Sequence, residues 1–174
     1  IFLVGCGKDV SESVKINPKN PPAPTSPHNQ INKTLPANGN AGDRFVVTND
    51  SSKIVYISDE NTDGIDELMV ANIDGSNRIK VSAPLSLGEN VTRFLVAPNS
   101  QKVAYIADQT DGFFNLYTVN LDGTSHAQVN PGVNTVNHSI GHFLWMPNSS
   151  KIVYTSDETK PVGSYALYIA NPDG

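Results

Sequence analysis

Three stretches decide how this chain folds: FVVTNDSSKIVYISDE from Phe45, FLVAPNSQKVAYIADQ from Phe94 and FLWMPNSSKIVYTSDE from Phe143. They superpose without a gap, 49 residues apart each time. Phe45, Phe94 and Phe143 open the units, Tyr56, Tyr105 and Tyr154 recur within them, and Asp59, Asp108 and Asp157 close them. A second half follows as ELMVANIDGS, NLYTVNLDGT and ALYIANPDG, so length changes fall between the halves. Self-similarity at such a period marks a repeat architecture before any single element is assigned.

Inside a unit the apolar runs are short. Ile54-Val55-Tyr56-Ile57 and its equivalents are β-branched and aromatic, bounded by Asn or Ser on one side and Asp on the other, which suits a strand buried on both faces. Leu116-Tyr117-Thr118-Val119 reads as a second strand. Asp74-Gly75 and Asp122-Gly123 then supply turn residues that tolerate positive φ, ahead of a weaker strand. With the run that precedes each Asn-Ser turn, a unit has four strands. Four antiparallel strands every 40 to 50 residues predict an all-β chain of β-propeller blades.

The third unit, Phe143-Leu144-Trp145-Met146-Pro147-Asn148-Ser149-Ser150-Lys151-Ile152-Val153-Tyr154-Thr155-Ser156-Asp157 with Leu167-Tyr168-Ile169-Ala170-Asn171-Pro172-Asp173-Gly174, resembles the WD40-like (PD40) repeat of the TolB propeller family. Two whole repeats and most of a third (about 43–91, 92–140 and 141–174) carry the resemblance. The chain departs from the pattern at Asn49, where Pro98 and Pro147 stand in the other units, and at Met69, where Tyr117 and Tyr168 stand. Propellers close with about four to eight blades. Three blades make an incomplete ring, so the expectation is a stretch of a larger protein.

The residues before 43 differ in kind. Six of the 12 prolines lie before residue 40, and four lysines face only Asp9 and Glu12, whereas the remainder is acidic and brings the chain to −5. Residues 7–42 show neither helical nor alternating periodicity and read as a disordered Pro- and Asn-rich tether. Residues 1–6, Ile-Phe-Leu-Val-Gly-Cys, are apolar and end at the sole cysteine. Leu3-Val4-Gly5-Cys6 resembles the lipobox of bacterial lipoproteins, which implies lipid attachment at Cys6 and a place in the cell envelope, on the periplasmic side of the outer membrane or at the cell surface.

Composition removes several function classes. The acidic balance argues against a sequence-independent nucleic-acid grip, and a single cysteine excludes an intrachain disulfide or a multi-cysteine metal site. No Gly-x-Ser-x-Gly elbow or glycine-rich phosphate loop occurs. His138 and His142 lie four residues apart, a separation of roughly 13 Å along a strand, too far to share one metal. No cofactor is implied; the one ion the spacing suggests is calcium, because Asp59, Asn61 and Asp63 followed by Gly64 resemble the front of an EF-hand loop. Recurrence of its first Asp in every unit fits instead an acceptor for backbone N–H groups at a strand end.

With strands alternating in direction, the loops after each second strand share one face. They carry Asp59, Glu60, Asp63, Asp108, Asp111, Asp157 and Glu158, an acidic rim expected to meet a partner. The resemblance implies a lipid-anchored, non-catalytic binding platform for a protein, a peptide or a polysaccharide. Two rivals remain at this level: the propeller of a prolyl-oligopeptidase-type peptidase whose catalytic domain lies beyond residue 174, and a metal-dependent propeller lyase.

Overall fold

The structure, a computed structural model, describes residues 29–109, 113–130 and 139–174. Cys6, Asp111 and His138 lie outside the described residues. Among the described residues every regular element is a strand, and each strand pairs antiparallel with its sequence neighbour inside a blade. Blade one consists of β1 (Ala41–Val47), β2 (Lys53–Ser58), β3 (Glu67–Asn72) and β4 (Ile79–Lys80). Blade two repeats it with β5 (Val91–Val96), β6 (Lys102–Ala107), β7 (Asn115–Asn120) and β8 (Ala127–Gln128). Blade three holds β9 (Ile140–Trp145), β10 (Ile152–Ser156) and β11 (Ala166–Ala170). The fourth strands are two residues long, far shorter than the inner ones.

The register follows the repeat. Phe45 faces Tyr56, Phe94 faces Tyr105 and Phe143 faces Tyr154. Between first and second strands the chain reverses over an Asx turn, in which the side-chain oxygen of Asp50, Asn99 or Asn148 accepts the N–H two residues on, at 3.1 Å in each blade. Successive turns also lock together: Asn49 Nδ2 donates to Pro98 O at 2.9 Å, and the Asn99 N–H donates to Ser149 Oγ at 3.0 Å.

Blades stack through apolar faces, since a sheet with two apolar faces must bury both. Between blades one and two, Val55, Ile57, Leu68 and Val70 meet Phe94, Val103 and Tyr105. Between blades two and three, Ala104, Ile106 and Leu116 meet Phe143, Ile152 and Tyr154. Trp145 crosses the second interface, donating Nε1–H to Leu95 O at 2.9 Å. Residues 29–40, the described end of the expected tether, lie against blade one: Ile31 packs on the cluster of Tyr56, Met69 and Ala71.

Candidate functional site

Each second strand ends in an aspartate that reaches back to the entry of the first strand of its own blade. Asp59 Oδ1 accepts the Asn40 N–H at 2.6 Å, Asp108 Oδ1 the Asn90 N–H at 2.5 Å, and Asp157 Oδ1 the Ser139 N–H at 2.7 Å. The second oxygen of Asp59 takes the Gly64 N–H at 3.3 Å, and that of Asp157 the Gly163 N–H at 2.7 Å. All three aspartates are buried. Their carboxylates staple the loop after the second strand to the start of the first.

The next residue in each blade partners the repeated tyrosine. Tyr56 Oη donates to Glu60 and Tyr154 Oη to Glu158, both at 3.3 Å, and Tyr105 Oη donates to Gln109 Oε1 at 3.1 Å. Burial, and then the adjacent carboxylate, raises the hydroxyls of Tyr56 and Tyr154 well above their ordinary value, while burial pushes Tyr105 up to about 12. These hydroxyls therefore act as fixed donors at neutral pH. Glu60 is buried and also accepts the Lys33 N–H at 2.8 Å; Glu158 is half-buried.

Of the expected acidic rim, Asp63 stands exposed, and Asn38 Nδ2 donates to it at 3.3 Å. The trio Asp59, Asn61 and Asp63 is tied to the chain's own groups. Both Asp59 oxygens hold N–H groups, and the Lys33 ammonium donates to Asn61 Oδ1 at 2.8 Å. Among the described residues, no group of three or more His, Cys, Asp or Glu side chains converges to hold a metal.

The accessible charge sits elsewhere. A cavity of about 580 Å³ opens where the first strands of the three blades begin, lined among others by Arg44, Asp66, Arg93, Phe114, Ser139 and Ile140. Arg44 and Arg93 are exposed and take the same position in β1 and β5, one residue before the repeated phenylalanine; His142 takes it in β9. Arg93 Nη1 also donates to Gly141 O at 2.9 Å, tying blade two to blade three. The 49-residue spacing of Arg44, Arg93 and His142 is as regular as that of the phenylalanines, and sequence reasoning passed over it.

No family model matches the chain, and no curated protein matches it. Solved structures do. An oligogalacturonate lyase in complex with manganese superposes with a TM-score of 0.58 at 19% identity, over 83% of this chain and 42% of the lyase. A puromycin-hydrolyzing peptidase of Mycobacterium tuberculosis gives 0.54 at 15% identity, over 74% of this chain and 20% of the peptidase. TolB of Acinetobacter baumannii gives 0.50 at 16% identity, over 73% of this chain and 29% of TolB. The fold is that of a β-propeller, shared with all three. The chain spans less than half the length of each of these proteins. At such identities the likeness speaks of fold, because one propeller scaffold carries many functions.

Asp66 in the cavity wall reports on its electrostatics. Burial and then the Asp59 charge raise its carboxyl above the ordinary 3.8, while Arg44 opposes them. A carboxyl raised in this way favours the fold when protonated, so its contribution is present below 3.8 and is lost as pH climbs through the raised value. Asp66→Asn is neutral throughout. Urea midpoints of the two forms should therefore diverge in favour of the variant as pH rises through the acidic range; a constant difference contradicts the assignment.

Proposed function

We propose that this chain is a lipid-anchored β-propeller module of the bacterial cell envelope, a non-catalytic platform that grips a partner through carboxylate groups, whether on a protein, a peptide or a polysaccharide. The observation that supports it is the pair Arg44 and Arg93, repeated at one position of successive blades and facing one cavity in a chain whose net charge is −5. Guanidinium groups suit planar carboxylates because their N–H donors match both oxygens. In the loops after the second strands, Asp59, Asp108 and Asp157 are engaged inside the blades, which leaves the exposed Arg44 and Arg93 well placed to meet a ligand.

The test uses two probes, an oligogalacturonate and a glutamate-rich peptide, titrated against the protein and an Arg44→Glu variant. Reversal of a charge that pairs with a carboxylate should weaken binding at least tenfold, which corresponds to about 1.4 kcal/mol, and wild-type affinity should fall with added salt. Binding that ignores both the substitution and salt would overturn the arginine assignment. Attachment at Cys6 has its own readout. Cys6→Ser should move the protein from the detergent-extracted membrane fraction to the soluble one, and equal retention of both forms excludes the anchor.

A further inference from the structure

A second row of residues shares the cavity with Arg44 and Arg93. Asp66, Phe114 and Tyr165 each stand one residue ahead of a third strand, two before the leucine that recurs as Leu68, Leu116 and Leu167. Asp66 and Phe114 line the cavity. Tyr165 joins it through Ser139, another wall residue, whose Oγ lies 2.6 Å from Tyr165 Oη. The row is thus acidic in blade one and aromatic in blades two and three.

Burying an aromatic ring is among the larger gains a fold can make, yet both of these rings stay in water: Phe114 is 39% exposed and Tyr165 50%. Neither belongs to a core between blades. Tyr165 is still held in one place. Its hydroxyl pairs with Ser139, and its ring lies so close to the backbone of Gly141 that a Cβ there would stand 3.1 Å from Cε1 and 3.3 Å from Cδ1. The carbonyl of the same glycine accepts Arg93 Nη1 at 2.9 Å, so an exposed ring and an exposed guanidinium are anchored on one residue.

Rings beside guanidinium groups suit one kind of molecule better than others. A pyranose sugar has faces made of C–H groups and a rim of hydroxyls. C–H groups next to oxygen carry a partial positive charge and settle on the electron-rich face of an aromatic ring. The rim needs hydrogen-bond partners, and Asn40, Asp66, Thr92 and Ser139 border the cavity. A carboxylate on the sugar meets an arginine, and Arg93 keeps donors for it, since a guanidinium carries five N–H groups and Gly141 takes one. A glutamate side chain would also reach the arginines, but it has only a short apolar stem to lay on a ring.

We propose that the ligand of this cavity is an acidic glycan, whose sugar rings lie on Phe114 and Tyr165 while their carboxylates are held by Arg44 and Arg93. This rests on the carboxylate reading of the two arginines and narrows it to one class of ligand. A polymer that carries a ring and a carboxylate in every unit matches two rows that recur from blade to blade, one of guanidinium groups and one of aromatic rings. Asp66 stands where the aromatic row begins and accepts from sugar hydroxyls.

Calorimetry on the protein compares a galacturonate trimer with a glutamate-rich peptide. Phe114→Leu with Tyr165→Leu, two exposed positions kept apolar, should weaken the trimer about tenfold, the effect of losing two ring contacts, and leave the peptide within about twofold. Phe114→Tyr with Tyr165→Phe keeps both rings and should keep the trimer's affinity. Proton spectra should show the C–H signals of the bound trimer moved upfield by the rings in the wild type and not in the leucine pair. A trimer affinity indifferent to the leucine pair, while Arg44→Glu still weakens both probes, overturns the glycan assignment and leaves the carboxylate grip standing. Equal loss of the peptide in the leucine pair assigns the rings to a protein partner and overturns it too. If Arg44→Glu weakens neither probe, the carboxylate reading itself fails and this inference with it.

Discussion

Phe143→Ala should lower the unfolding free energy by about 3–5 kcal/mol, the usual cost of emptying a buried aromatic site. Phe143 is 1% exposed and lies among Ile140, Ile152 and Tyr154 at the centre of the second interface, where no mobile surface group can fill the cavity. Phe45→Ala in the same chain should cost less than about 0.5 kcal/mol, because this side chain is already in water. Urea midpoints at constant slope check both. Equal losses at the two positions would mean that Phe45 is buried, contrary to its exposure.

Asp157→Ala should cost about 3 kcal/mol, since it strips the acceptor from two N–H groups, those of Ser139 and Gly163, beneath the loop. Asp157→Asn keeps one carbonyl oxygen and should lose about half as much. Asp63→Ala, at an exposed residue with a single 3.3 Å contact, should stay within about 0.5 kcal/mol of wild type. The ordering of the three variants in thermal or urea melts is the measurement. Asp63→Ala and Asp157→Ala with equal effects would restore these acids to a common surface role.

The blades were legible because the physics that makes them is local. Runs such as Ile54–Ile57 between turn residues specify a strand, and three copies in phase specify that the strands stack. The use of the acids was harder to see. An aspartate at a strand end looks alike whether it faces water or a backbone N–H, and the partners of Asp59, Asp108 and Asp157 lie 19, 18 and 18 residues earlier, across the sheet. The packing of residues 29–33 on blade one was masked by neighbouring prolines such as Pro36 and by shortness, since Ile31 is the one apolar residue that carries it. Arg44 and Arg93 were passed over because a charge before a strand core usually signals only a solvated edge.

The two-residue length of β4 and β8 bears on how such a protein survives in a crowded compartment. A long outer strand would offer a row of unpaired N–H and C=O groups to any extended chain nearby, the route by which sheets join edge to edge into insoluble matter. Two residues offer too few bonds to hold a stranger in place. Lys80 on β4, with its ammonium 2.8 Å from Glu67 Oε1, adds charge where such a chain would have to lie. Each complete blade thus ends in a blunt margin, charged in blade one, that discourages lateral growth, while the broad apolar faces are kept for packing blade on blade.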